Sequence, residues 1–253
     1  MAKAGTSSLV KLDASGIHYH DLNRMLREAV NNGAKRFELR NVYGHRYIGT
    51  DLEGSPEIEI FGVPGNDLGA FMNGPKITVR GNAQDGCGNT MNEGKIIIHG
   101  HAGDIIGLSA RGGKIFVRDD VGYRAGIHMK EYEEKKPVLV IGGTAQDFLG
   151  EYMAGGILIV LGLNLGQQEY HRAKFIGTGM HGGVIYLKGK VEEYQLGREV
   201  GISSLEEDDY KLLGKYVNEY AGYFQQDAGD IMNHEFIKLF PRWTRPYGRL
   251  YAY

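Results

Sequence analysis

The chain has 253 residues, long enough to bury a substantial core, and its 29 basic and 31 acidic residues leave a net charge of −2. That balance offers no global positive field to nucleic acid or to an anionic membrane. One cysteine, Cys87, excludes an intrachain disulfide, a cysteine-ligated zinc and an iron–sulphur cluster held by this chain alone.

The opening MAKAGTSSLVKLDAS lacks the apolar core of a signal peptide, and the longest strongly apolar run, Ile157–Leu161, falls far short of the ~18 residues of a membrane span. A cytoplasmic protein is expected, with neither nucleic acid nor membrane as partner. The first element is an amphipathic helix over Asp21–Asn32, with Leu22, Met25, Leu26 and Val30 on one face and Gly33 as its stop. Phe37 and Leu39 then mark a first strand.

From there glycine dominates. Of the 39 glycines, 27 fall in the 128 positions 62–189, so a repeat is sought before any element is assigned. Short aliphatic runs recur: IEIFG (58–62), ITVRG (77–81), IIIHG (96–100), IFVRD (115–119), LVIGG (139–143), LIVLG (158–162) and IYLKG (185–189). Their starts are 19 residues apart, except for steps of 24 and 27 that accommodate insertions around 130–137 and 164–174. Three further columns keep this register. One is Gly69, Gly88, Gly107, Gly126, Gly150 and Gly177. Another is Met72, Met91, Ala110, Met129, Met153 and Met180. The third is Leu68, Cys87, Ile106, Ala125, Leu149 and Ile176.

Within each run the first and third positions are apolar while the second and fourth are mixed, the period-two pattern of a strand with one buried face. Nineteen residues leave little room for a crossover helix, and the glycines oppose one. The alternative is to coil, with equivalent strands pairing in parallel about 4.8 Å apart. The predicted fold is all-β: a single-stranded parallel β-helix of about seven turns and period 19. Right-handedness is expected from the usual chirality of parallel crossovers. The glycine column serves as a structural ladder at corners that need positive φ or lack room for a Cβ.

Beyond the coil, Ser204 is read as the cap of a helix running through Leu213, with a second helix over Ala228–Leu239. An aromatic and basic tail, Phe240–Tyr253, closes the chain. Three segments result: an N-terminal cap (1–57), the β-helix (58–189) and a helical C-terminal cap with its tail (190–253).

Chemistry-bearing motifs are sparse. Gly177-Thr-Gly179-Met-His-Gly182 matches a dinucleotide fingerprint, but that motif requires a helix to follow, whereas GVIYLKG reads as a strand. Cys87 lies in an apolar column and reads as a small buried hydrophobe. His18/His20 and His99/His101 have the spacing that puts two ligands on one strand face, but no third ligand is evident. Asp85, Asp104 and Asp147, with Asn66 one coil earlier, stack at one turn. A groove hydrolase would want such acids, but Asx residues at corners more commonly satisfy backbone amides. No catalytic, cofactor-binding or metal-binding residue is therefore assigned. The tail, with Phe240, Arg242, Trp243, Arg245 and Tyr247, is the candidate interface, because aromatics with arginine typify contact sites. A fold-back over the last coil is the competing role for it.

The repeats GHAGDIIGLSARGGKIFVRD (100–119) and GTAQDFLGEYMAGGILIVLG (143–162) resemble the glycine-rich β-helix known as the GXGXG domain. That domain forms the C-terminal part of the glutamate synthase large subunit and resembles one of the subunits of formylmethanofuran dehydrogenase. The flanks, including Arg245–Gly248, look more like stand-alone glutamate-synthase-type subunits. In that family a glutaminase with an N-terminal cysteine supplies ammonia to a flavin-containing barrel, with electrons from an iron–sulphur cluster. The resemblance implies a non-catalytic structural or assembly subunit without activity alone. It would belong to an oxidoreductase complex of nitrogen and glutamate metabolism. Its partners would be amidotransferase and flavin-containing synthase subunits. FMN and the iron–sulphur cluster would sit on those partners, and no cofactor on this chain. The alternatives are the β-helix subunit of a molybdenum or tungsten formyl dehydrogenase, or a self-sufficient β-helix enzyme.

Overall fold

The computed structural model describes residues 9–166 and 169–243. Strand β1 (Leu9–Asp13) is followed by helix α1 (Tyr19–Asn31). Then come β2 (Arg36–Tyr43), β3 (Glu57–Val63), β4 (Asn73–Val79), β5 (Glu93–Ile98), β6 (Lys114–Val117), β7 (Val138–Ile141), β8 (Ala154–Val160) and β9 (Gly182–Lys188). These nine strands pair in parallel in chain order, forming a β-solenoid. From β3 to β9 the pairings close six turns rather than seven, because seven aliphatic runs enclose only six intervals. The two insertions leave the register intact: Ile115 still faces Leu139, and Leu158 faces Ile185.

The inward column is a ladder of branched aliphatics. Ile60, Val79, Ile98, Val117, Ile141, Val160 and Leu187 are successive partners, all fully buried in one core. Helix α1 covers the first end of the coil, burying Leu22 and Leu26 into that core, with Ile17 and Val30 packed beside them. Its stop lies where the glycine marks it: the Gly33 N–H bonds the Val30 carbonyl at φ +90°. The Phe37/Leu39 strand is β2, and β1 precedes it outside the 19-residue period.

The outward column changes character along the chain. Lys11, Glu38, Glu59 and Thr78 give way to Ile97, Phe116, Val140, Ile159 and Tyr186. Helix α2 (Glu207–Phe224) lies over the apolar part, packing Leu213, Tyr216, Val217, Tyr220 and Phe224 into a second core with those side chains. The helix is thus laid along the side of the coil instead of over its end.

Two boundaries differ from the sequence reading. Helix α2 is capped by Glu206 and not Ser204. Glu206 and Asp209 exchange hydrogen bonds in a reciprocal capping box, which outcompetes a serine upstream of the helical register. The predicted helix over 228–239 is only α3 (Ala228–Met232), because Phe236–Pro241 forms a strand, β11. β11 pairs antiparallel with β9, and β10 (Val200–Ser203) pairs antiparallel with β11. The second end of the solenoid is therefore finished by two short strands that break the parallel pattern, a standard way to blunt an open edge.

Truncating the inward ladder should be costly. Ile98→Ala or Ile141→Ala is expected to destabilise the protein by about 2–5 kcal/mol in denaturant unfolding. Thr78→Ala, on the solvent side of the same sheet, should stay within about 0.5 kcal/mol of wild type.

Candidate interaction surface

Polar groups that stack along the coil are spent on its own backbone. Asp85 accepts the Asp104 N–H at 2.9 Å, Asp104 accepts the Tyr123 N–H at 2.8 Å, and Asp147 accepts the Lys174 N–H at 2.8 Å. Each carboxylate hydrogen-bonds one turn onward, so the column is a fastening between turns. Asn66 contributes its carbonyl to the Tyr47 N–H. Cys87 is fully buried. Its thiol donates to the Gln84 carbonyl at 3.3 Å, and burial pushes its pKa up to about 12, far from a nucleophile's range.

The histidine pairs do not lie as two ligands on one strand face. His18 caps α1 through Nδ1, and His20 sits in its first turn. His99 lies against Arg80 and the Phe224 ring, where burial first and then the Arg80 charge lower its pKa. Among the described residues no group of three His, Cys, Asp or Glu side chains converges as a metal requires. The Gly177–Gly182 string runs through a turn directly into β9, with no helix to hold a pyrophosphate.

The third side of each turn is built from alternating left-handed residues. Arg124, Gly126 and His128 have φ of +57°, +73° and +55°; Phe148, Gly150 and Tyr152 follow at +65°, +65° and +51°. This geometry sends amides alternately up and down the stack. The Gly126 N–H bonds back to Ile106, while those of Arg124 and His128 bond forward to Asp147 and Glu151. The central residue faces inward, and a Cβ on Gly126 would sit 2.5 Å from the Leu158 methyl. Positions Gly69, Gly88, Gly107, Gly150 and Gly177 repeat the positive φ once per turn.

The flanking left-handed positions point outward, and Arg124, His128, Phe148, Tyr152 and Phe175 carry large side chains there, at a backbone cost of about 1 kcal/mol each. They form two stacked lanes. In one, Arg124 lies 4.8 Å over the Phe148 ring, and Phe148 stacks on Phe175 at 4.9 Å and 14°. In the other, His128 stacks on Tyr152 at 5.4 Å and 9°. Tyr152 and Phe175 remain 42% and 49% exposed. Arg124 is tied to Glu151 at 2.8 Å. This strip escaped the sequence reading, although the glycine column locates it: its lanes lie two residues before and after each column glycine.

The tail residues singled out in the sequence divide. Phe240 lies near the end of β11 with its ring against Gly201, and Arg242 donates from Nε to the Val200 carbonyl at 2.9 Å, tying down the last strand pair. Trp243 is 64% exposed. Arg245 and Tyr247 lie outside the described residues.

Helix α2 is held by charge as well as by packing. Glu219 accepts from Lys95 at 2.5 Å and Lys114 at 2.7 Å. Burial raises its pKa, but the hydrogen bonds from the two lysines outweigh this and hold the carboxyl below its ordinary range. Tyr220 donates to the Arg118 carbonyl at 2.9 Å, so close to the strand end that a Cβ on Gly142 would strike its hydroxyl. At the other end Asp209 accepts from Tyr186 at 2.5 Å and Lys238 at 2.8 Å. A cleft of about 720 Å³ opens between α3 and the last coils, with Lys188, Asp230 and His234 among its walls. Burial lowers the Lys188 pKa against the opposing pull of Asp230.

Comparison with known proteins agrees with this architecture. The family described by the GXGXG motif matches residues 27–246. The chain belongs to the GXGXG family. An uncharacterized protein of Methanocaldococcus jannaschii is 47% identical over 251 residues, covering 96% of each chain. The match between this GXGXG protein and that relative thus extends over nearly the whole of both chains, beyond the repeats alone.

The Glu219 bridge sets a pH dependence. Its depressed folded pKa means the stabilisation is full above the ordinary glutamate range and is lost as pH falls through the folded value. Glu219→Gln should cost about 1 kcal/mol at neutral pH, allowing for solvent screening of a partly exposed site. The gap between the two proteins in thermal unfolding should close on acidification.

Proposed function

We propose that this protein is a non-catalytic assembly subunit of a glutamate-synthase-type complex, holding amidotransferase and flavin-containing subunits in position. The observation that carries the reading is the GXGXG match over most of the chain, on a coil whose stacked acids and only thiol are committed to its own folding. A solenoid of this kind is a rigid spacer with long lateral surfaces, which suits positioning better than turnover. In the proposed complex FMN and an iron–sulphur cluster reside on the partner subunits, and ammonia and electrons pass between sites outside this chain. The complex would act in cytoplasmic glutamate and nitrogen metabolism.

Purification of the native assembly through a tag on this chain tests the reading. The expected result is co-purification of a flavoprotein and of a glutaminase with an N-terminal cysteine. Glutamate formation from glutamine and 2-oxoglutarate should fall when this chain is removed and return when it is added back. The chain alone should show no flavin absorbance and release no ammonia from glutamine. Molybdenum or tungsten in the purified assembly, or glutaminase activity in the isolated chain, would overturn the proposal.

A further inference from the structure

Lys188 stands where the outward sheet face has otherwise turned apolar. It is the fourth residue of the run IYLKG, the position that Leu161 fills in LIVLG one turn earlier, and its partner on β11 is Phe236. Leu161 is fully buried and Phe236 nearly so. A half-buried ammonium beside such neighbours is costly unless a carboxylate answers it. Around α2 that need is met for other lysines: Lys95 and Lys114 hold Glu219 at 2.5 and 2.7 Å, and Lys238 holds Asp209 at 2.8 Å. Lys188 has no carboxylate at ion-pair distance and no hydrogen-bond acceptor among the described residues. It lines the cleft between α3 and the last coils, whose volume of about 720 Å³ lies within the ~300–1,000 Å³ of small-molecule sites.

Asp230 of α3 lines the same cleft, with an exposed carboxylate that is likewise without an ion-pair or hydrogen-bond partner among the described residues. Its charge acts on Lys188, yet the two do not close into an ion pair, and burial still lowers the lysine's pKa. The cleft therefore holds an unanswered positive group and an unanswered negative group with a gap between them. Its remaining charge leans acidic. Glu169 is engaged by Arg172 and the Gly166 N–H, and Asp227 by the first amides of α3, while the Glu235 carboxylate is uncommitted among the described residues. Lys188 and Lys190 thus face four acids along the walls. A phosphate or a dicarboxylate is disfavoured there, and a ligand must bring positive charge together with its negative.

We propose that this cleft binds a free α-amino acid with a neutral or basic side chain, its carboxylate on Lys188 and its ammonium on Asp230. The head group of an amino acid carries its two charges on either side of one carbon. Opposite groups that face each other across a gap can pair with both ends, which a salt bridge already closed cannot do. Gln226 and Asn233, whose side-chain amides have no partner among the described residues, also line the cleft and offer polar contacts to the ligand's side chain. The site does not depend on the assembly reading, because the whole of it lies on this chain.

Thermal unfolding of the full chain in the presence of each of the common free L-amino acids is the first test. At least one neutral or basic amino acid should raise the melting temperature by about 3 °C or more at saturating concentration, and aspartate and glutamate should not. Calorimetric titration of the strongest binder should then show both head-group charges at work. Replacing its amine by a hydroxyl, or its carboxylate by an amide, should weaken binding about tenfold or more, as should Lys188→Met and Asp230→Asn. Neither variant breaks an existing pair, so both should melt close to wild type without ligand. Absence of stabilisation by every amino acid would overturn the proposal. So would equal binding of the 2-hydroxy acid, tighter binding of glutamate, or unchanged affinity in Lys188→Met. If Lys188→Met fails to fold, Asp230→Asn decides, since its carboxylate is exposed, and unchanged affinity there would overturn the site. None of these results bears on co-purification of partner subunits, so the site and the assembly reading stand or fall separately.

Discussion

Everything in this molecule depends on keeping one rung in register with the next. A parallel ladder works only if each turn returns the chain to the same place, one strand spacing higher. The 19-residue period meets that condition by making one side of every turn from alternating left-handed residues. Their amides bond up and down the stack in alternation, so the corner is itself a ladder and not a passive connection. Two features favour glycine at the inward position of that corner: the backbone is left-handed, and at Gly69, Gly88, Gly126, Gly150 and Gly177, though not at Gly107, a core side-chain atom occupies the space of a Cβ.

Because the corner carries the register, the insertions can be absorbed elsewhere. The segments around 130–137 and 164–174 lengthen the path between strands, yet the inward aliphatics still meet in order. The Asp column plays a supporting part, since each carboxylate bonds an amide of the next turn and resists unwinding. The stacked acids thus serve the coil's own stability, since each is already bonded to a backbone amide. The outside of the coil differs from side to side. One side is a sheet face, half of it covered by α2; another is the left-handed corner with its stacked rings.

The flanks show how a repeat ends. Helix α1 buries its apolar stripe on the first turn, while the last turn is completed by antiparallel strands that cannot propagate the coil. The C-terminal helix is a different kind of element. It is anchored at its first turn by Asp209 and near its last by Glu219, with an apolar seam between, so both charge and packing place it on the sheet face.

Periodicity alone determined the solenoid. Agreement among the Gly69, Met72 and Leu68 columns requires stacked equivalent positions, and the two-residue alternation requires strands, so the strands of the coil, their order and the inward ladder were legible without coordinates. Cys87 and the stacked acids were likewise readable, because a column shared with Leu68 and Ile106 implies burial, and Asx at a glycine corner implies a backbone bond. Non-repeating contacts were decided only by tertiary structure. Whether 236–241 is helix or strand depends on the open edge of β9, which local propensity does not see. The position of α2 depends on where the outward column turns from Thr78 to Ile97, a change that acquires meaning only when a helix from far along the chain lies against it. The aromatic strip needed both: the period places Phe148 and Phe175 one above the other, but only the folded corner shows that residues two before and after each inward glycine face out, where these two rings stack.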